Sequence, residues 1–337
     1  MGRTGRSVGI VGLGSYAPEK VLTNADLEKM VDTSDKWIVE RTGIRQRHIA
    51  SAEQATSDLA IEAGKRALED AGVKPEDVDL VIVATCTPDV LLAATACTVQ
   101  TKLGCAKAAA FDLGAACSGF VYGMEVASAL IASNVYNTVL LIGAETLSRI
   151  VDWEDRNTCV LFGDGAGAVV LQPVREGFGL LGAHLGAEAG ADLLRIPAGG
   201  TRCPASSQTV ENKEHYLYMN GHEVYKFAVK VMGEASVKAL QDAELTPEQV
   251  DWLVPHQANI RIIQAAAKRL KMPMEKVVVN VDRYGNTSAA SIPLALDEAY
   301  RAGKFKTGDL IVMVGFGAGL TWASSVIKWS KGGNNIG

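Results

Sequence analysis

Two hydrophobic rhythms alternate along the chain. Uninterrupted apolar runs at 79–85 (D-L-V-I-V-A-T), 138–144 (T-V-L-L-I-G-A) and 251–254 (D-W-L-V) have the length and composition of strands buried on both faces. Between them the apolar residues space out by threes and fours. Residues 57–71 make one such amphipathic pattern, and Phe120, Met124, Ala127 and Ile131 mark another. A third helix is predicted from 259 to about 271, directly after the strand that ends at Pro255. Strand alternating with helix predicts an α/β fold.

The pattern also repeats. Residues 67–81, A-L-E-D-A-G-V-K-P-E-D-V-D-L-V, and 239–253, A-L-Q-D-A-E-L-T-P-E-Q-V-D-W-L, are identical at eight of fifteen positions. Each copy reads as helix, turn with Pro, buried strand. A single long-period repeat predicts two α/β halves of similar topology related by a pseudo-twofold axis, with boundaries at 1–180 and 181–337. The polar, Gly-rich stretch 186–217 is predicted to be a loop or flap.

Where the strand ending at Leu113 gives way to the helix beginning near Phe120, the chain reads G-A-A-C-S-G. Cys117 is therefore predicted at the first turn of a helix, where free N–H groups and the helix dipole favour thiolate over thiol. Small neighbours would let a carbonyl come close, as a nucleophile requires. Buried cysteines are more often core residues, so the assignment depends on partners. The second half supplies them. His256 follows the strand ending at Pro255, at the carboxyl end of a sheet, where ligands of α/β proteins bind. Asn286 lies in the turn Y-G-N-T-S before a helix, where, taken alone, it reads better as an N-cap. Residues 315–319, G-F-G-A-G, form a turn that can bare backbone N–H groups or be a plain turn. Trp37 and Arg41 sit four apart on a helix, suited to stacking a planar ring and meeting phosphate or to covering the core.

Composition removes other classes. The chain has 337 residues, 48% hydrophobic and 21% charged, with a net charge of −5, which argues against general nucleic-acid binding. Its apolar runs fall short of the roughly 18 residues that span a bilayer, and the start of the chain reads as a first strand rather than a signal peptide. The six cysteines show no C-x-x-C, which suits a reducing cytoplasm without structural zinc or disulfides. Gly12-x-Gly14-x-x-Ala17 tempts a dinucleotide-binding reading, but Pro18 follows where a helix should open, so a strand ending in a Gly-rich turn is expected.

Taken in order, G-A-A-C-S-G-F, G-D-G-A-G-A, P-H-Q-A-N, Y-G-N-T-S-A-A-S and G-F-G-A-G-L-T-W resemble the thiolase superfamily, and more narrowly its β-ketoacyl-acyl-carrier-protein synthase III branch. The resemblance runs nearly end to end. It implies a five-layer αβαβα fold, a homodimer, and a decarboxylating condensation of a short acyl-CoA with malonyl-acyl-carrier protein (ACP), with no cofactor or metal. It implies that Cys117 carries the acyl group and that His256 and Asn286 complete a triad. The N–H groups of Cys117 and Ala318 would form an oxyanion hole. Trp37, Arg41, Arg156 and Asn259 would meet coenzyme A, with Asn259 also orienting His256. Lys226, Arg261, Lys268 and Arg269 would receive the acidic carrier protein, although cations at a helix end also simply favour its dipole.

One departure concerns the stretch aligned with 90–95, where the family often places an aromatic that closes the partner subunit's acyl pocket. Here Leu91 and Leu92 stand there, which leaves the primer open. A specialised condensing enzyme or acyltransferase of secondary metabolism on the same fold remains the alternative. A cysteine hydrolase is disfavoured because the C-G-S-C-W signature is missing.

Overall fold

The computed structural model describes residues 5–332. Its frame is two mixed sheets. The first has the strand order Val8–Tyr16, Asp164–Pro173, Val139–Thr146, Leu80–Ala84, Ala109–Leu113. The second runs Trp252–Pro255, Leu310–Gly317, Thr321–Lys328, Gly179–Ala187. The parallel pairs Leu80–Ala84 with Val139–Thr146 and Trp252–Pro255 with Leu310–Gly317 occupy equivalent places. A parallel bridge between Leu253 and Val277 stands where the first sheet has its fifth strand.

Five layers result. Helices Thr56–Ala71 and Thr95–Leu103 cover the outer face of the first sheet, and Gly221–Asp242 and Ile260–Arg269 the outer face of the second. Gly119–Ala132 and Ser291–Arg301 lie between the sheets. Being covered on both sides explains why the central helix Gly119–Ala132 is apolar nearly all round, with Phe120, Val121, Met124 and Ile131 buried. All strands of the first sheet come from residues 8–173 and all of the second from 179–328.

The glycines of the first strand differ from expectation. The strand runs on to Tyr16, with Gly12 and Gly14 inside it. A Cβ on Gly14 would stand 2.4 Å from the backbone of Ala63 and Ala67, so these glycines admit helix Thr56–Ala71 rather than form a turn. The stretch after Ala187 is mostly loop, carrying the short pair Leu194–Arg195 with Tyr218–Met219 and a helix at Ser207–Glu211.

Candidate active site

Cys117 sits in a single 3-10 turn, Ala116–Ser118, that continues into helix Gly119–Ala132. Ala116 is held at φ 45°, and this kink turns the chain from strand end to helix start. The opposite wall is the end of strand Leu310–Gly317. There a Cβ on Gly317 would come within 2.6 Å of the Cys117 N, so only glycine lets the strand pass this close.

His256 leaves the end of strand Trp252–Pro255 with its N–H on the Val314 carbonyl at 2.8 Å. Gln257, also buried, fixes the turn that follows. Its amide donates to the carbonyls of Pro255 (2.8 Å) and Val278 (3.0 Å), and its oxygen accepts from Asn280 N (2.9 Å) and Val281 N (3.2 Å). The imidazole Nδ1 is 2.6 Å from Ser291 Oγ, while Nε2 is buried with no partner among the described residues. Phe316 meets the ring edge-on at 5.6 Å.

Asn286 is reached through Gly285, at φ 65° and ψ −157°, a region essentially restricted to glycine. The backbone of Asn286 is clamped on both sides. Its N–H donates to Leu161 O at 2.8 Å, and its carbonyl accepts from Gly163 N at 3.0 Å. Its side-chain Oδ1 accepts from Ser288 N at 2.9 Å, which leaves the amide NH2 as its free end. Asn286 is not a helix cap: the 3-10 turn Ser288–Ala290 has Thr287 in that place. Cys117, His256 and Asn286 line one cavity of about 100 Å³, with walls from Leu161, Phe162, Val224, Ile262, Phe316 and Gly317.

Burial dominates the electrostatics. His256 is pushed down to about 3, so its imidazole is neutral at physiological pH. Burial likewise pushes the Cys117 thiol up to about 12, and the nearby Glu145 carboxyl adds to the rise. The expectation of a resting thiolate therefore fails: one helix terminus does not offset full desolvation, and the resting group is the thiol. Sequence reasoning missed Glu145, Ser288 and Ser291. Glu145 is fully buried and accepts from the hydroxyls of Thr85 (3.1 Å) and Thr87 (2.6 Å) and from the Cys86 thiol (3.2 Å). Ser291 stands in the quoted motif Y-G-N-T-S-A-A-S, but the residue it meets, His256, is 35 positions away.

A second cavity of about 590 Å³ adjoins the first, sharing Leu161, Met219 and Gly221. Trp37 and Arg41 line it. Arg41 lies 4.8 Å and Arg156 5.1 Å from the Trp37 ring, and Arg156 also donates to the Asp32 carbonyl at 2.7 Å. Asn259 caps helix Ile260–Arg269 through Arg261 N (2.9 Å) and donates to Arg41 O (2.9 Å). Among the described residues it has no bond to His256, whose Nδ1 instead meets Ser291. Lys226, Arg261, Lys268 and Arg269 are exposed on the two helices beside the mouth. Lys226 pairs with Glu223 at 3.0 Å, Arg261 stacks on Tyr225 at 5.4 Å, and the stem of Arg269 covers Gly233.

Two placements bear on the expectations. Ala318 lies beyond the residues that line the Cys117 cavity, because strand Leu310–Gly317 extends further than the predicted turn allowed; Phe316 and Gly317 form the wall. Leu91 and Leu92 are not part of this chain's cavity. They project from a surface loop, 78% and 105% exposed, with Leu92 at φ 85°.

Comparison with known proteins agrees with this geometry. Residues 111–189 match the family described as 3-oxoacyl-[acyl-carrier-protein (ACP)] synthase III, and 240–329 its C-terminal domain. The β-ketoacyl-[acyl-carrier-protein] synthase III of Caldanaerobacter subterraneus subsp. tengcongensis is 62% identical over 326 residues, 96% of this chain and 98% of the relative. The chain belongs to the β-ketoacyl-ACP synthase III family. It is an acyltransferase that condenses an acyl-CoA with malonyl-ACP to initiate fatty acid synthesis. The crystal structure of the Thermus thermophilus synthase III superposes with a TM-score of 0.89 at 51% identity, covering 96% of this chain and 99% of that one. The priming β-ketosynthase of the R1128 polyketide pathway superposes equally, TM-score 0.89, at 36% identity and 97% of each chain. The synthase III fold is thus thiolase-like in all five layers. Among the described residues no helix is long and apolar enough to cross a membrane.

Proposed function

We propose that Cys117 is the acyl carrier of this condensation and that His256 and Asn286 stabilise the malonyl-derived oxyanion. The observation that carries the reading is the convergence of a thiol, an imidazole Nε2 without a partner among the described residues and a free amide end on one small, mostly apolar cavity. In the first half-reaction the Cys117 sulfur attacks the acyl-CoA carbonyl. The thiol's proton leaves with the coenzyme A sulfur, and a thioester forms on Cys117. In the second, malonyl-ACP loses CO2 and leaves an enolate on its thioester oxygen. Two neutral donors, His256 Nε2–H and the Asn286 amide, face that charge within walls that are mostly apolar. The enolate carbon attacks the Cys117 thioester, β-ketoacyl-ACP departs, and the Cys117 sulfur recovers a proton. No step calls on a cofactor or metal. The N–H of Cys117 would serve the acyl oxyanion, with Ala318 supplying the second donor if its turn tightens on substrate.

Coenzyme A fits the larger cavity. Trp37 and Arg156 would take the adenine between them once Arg156 swings off the Trp37 ring it now covers at 5.1 Å, Arg41 would meet phosphate, and Asn259 would hold the mouth through Arg41. The basic set Lys226, Arg261, Lys268 and Arg269 would receive the carrier protein, with Arg261 nearest the cavity. The two halves, 1–180 and 181–337, would divide the work, the first giving the nucleophile and the second both oxyanion donors. A homodimer explains why strand Ala109–Leu113 stands at a sheet edge with Phe111 exposed. It also explains the exposed Leu91 and Leu92, which would close the partner's acyl pocket. The cytoplasm is where such a thiol stays reduced.

The test is turnover of malonyl-ACP with acyl-CoAs from acetyl and isobutyryl to octanoyl, with mass spectrometry of the product and of Cys117. Acylated Cys117 and β-ketoacyl-ACP from short primers support the reading. Acylation elsewhere, or an unchanged rate in Cys117→Ala, overturns it.

A further inference from the structure

We infer that Ser291 is a positioning residue that fixes His256 as the Nε2–H tautomer, and so makes it a hydrogen-bond donor to the oxyanion rather than a base for Cys117. This rests on the role proposed for His256 above. The argument is a count of hydrogens. Ser291 Oγ is buried and has two partners among the described residues. One is Gln257 N at 3.4 Å, which can only donate. The other is His256 Nδ1 at 2.6 Å. The serine hydrogen therefore has Nδ1 as its sole acceptor.

If Nδ1 carried the proton instead, two donors would point at Ser291 Oγ and the serine O–H would be buried without an acceptor. A buried unmade hydrogen bond of that kind is costly. With Nδ1 accepting, the remaining proton of the neutral ring is on Nε2, the atom that faces the cavity without a partner. Burial keeps the ring from taking a second proton. A nitrogen already protonated cannot also accept the Cys117 proton, so the two half-reactions make different demands on His256. Ser291 is itself held: it opens helix Ser291–Arg301 at the inner layer, and its rotamer is set by the Gln257 turn.

The first test is the tautomer itself. The chain has five histidines, so 15N-histidine labelling and long-range 1H–15N correlation can resolve His256, identified by its loss in His256→Gln. The wild type is expected to show protonated Nε2, and Ser291→Ala a shift toward protonated Nδ1 or a mixture. The second test separates half-reactions. Ser291→Ala should lower malonyl-ACP decarboxylation at least about tenfold, since a misplaced histidine tautomer is expensive to catalysis. Acylation of Cys117 by acyl-CoA should stay within about threefold. Ser291→Thr, which keeps the hydroxyl, should restore the tautomer signal. Protonated Nδ1 in the wild type, or an unchanged tautomer in Ser291→Ala, overturns the inference even if His256 proves essential. Loss of acylation equal to loss of decarboxylation in a folded Ser291→Ala also overturns it. A wild-type tautomer as stated with undiminished condensation in His256→Gln would instead overturn the role of His256.

Discussion

Ala116 and Ser288 both adopt the left-handed region, at φ 45° and 48°. They stand apart by the same offset that separates residues 67–81 from 239–253. Each opens a 3-10 turn that leads into an inner-layer helix, Gly119–Ala132 in one half and Ser291–Arg301 in the other. The elbow has therefore been kept in both halves while its chemistry differs. Cys117 follows Ala116, and the apolar Ala289 follows Ser288. The second elbow instead supplies Ser288, which caps the Asn286 amide oxygen, and Ser291, which meets His256.

Each elbow presses on a glycine of the opposing strand, with unequal force. A Cβ on Gly143 would stand 2.2 Å from the Ala289 carbonyl oxygen, and one on Gly315 would stand 3.2 Å from the Cys117 carbonyl oxygen. Backbone cannot yield as a flexible side chain does. Gly143→Ala is expected to destabilise by about 3 kcal/mol or more, and Gly315→Ala by about 1 kcal/mol. Gly315→Ala should still slow acylation, because the atom that must move belongs to Cys117. Thermal or urea unfolding of both variants, with acylation rates measured on the folded protein, checks the ordering. Equal stabilities would refute it.

The resting thiol predicts a pH profile for Cys117. With its proton affinity pushed up to about 12, the thiolate fraction grows about tenfold per pH unit across the whole neutral range. The rate of carbamidomethylation of Cys117 by iodoacetamide in the free enzyme should rise with pH and show no plateau below about pH 10. A plateau near neutrality would mean that the helix terminus outweighs burial after all.

The fold was more legible in the sequence than the site. Buried strands such as 79–85 announce themselves because both faces are covered, and each copy of the repeat is a short local pattern of helix, turn and strand. Cys117 and His256 were proposed because each follows a strand, and the structure puts both on one cavity. Ser291 and Glu145 could not be found that way. Their importance lies in contacts across the chain, Ser291 with a residue 35 positions away and Glu145 with one about 60 away, and a single sequence holds no record of distance. The protonation state of Cys117 was misjudged for the same reason. A helix start can be read from local pattern, but burial comes from Gly317, Phe316 and the second sheet, which sequence does not bring near. Leu91 and Leu92 stand exposed on the surface of the single chain, where a residue that serves a partner's pocket would stand.

Asn286 offers a test that separates the half-reactions. Its amide end has no other partner, and its backbone is held by Leu161 and Gly163 whatever the side chain. Asn286→Ala should therefore still fold, at a cost of about 1–3 kcal/mol for the lost Ser288 N–H bond. Losing one donor to a buried oxyanion should cost about 2.7–4 kcal/mol of barrier, so malonyl-ACP decarboxylation should fall by about 100- to 1,000-fold. Acylation of Cys117 should change little. Single-turnover acylation and release of labelled CO2 measure the two steps separately, and a parallel fall in both would remove Asn286 from its assigned place.

The buried imidazole also links stability to pH. His256 is neutral in the folded protein down to about 3, whereas in the unfolded chain it takes a proton near 6.5. Above 6.5 neither state carries that proton, and the histidine's contribution is fully present. As pH falls from there toward 3, the unfolded state binds a proton that the folded state refuses, so stability is lost by about 1.4 kcal/mol per unit. Below about 3 both states are protonated and the loss stops. Many other groups titrate over the same range, so the comparison must be with His256→Gln, which keeps a polar side chain that does not titrate. Between pH 6.5 and about pH 5 the wild type should lose about 1.5 kcal/mol more unfolding free energy than His256→Gln. Urea unfolding at one fixed protein concentration measures it, since an oligomer's stability depends on concentration. Parallel losses in the two proteins would mean that the imidazole takes a proton in the folded state, and with it a positive charge in the cavity beside Cys117.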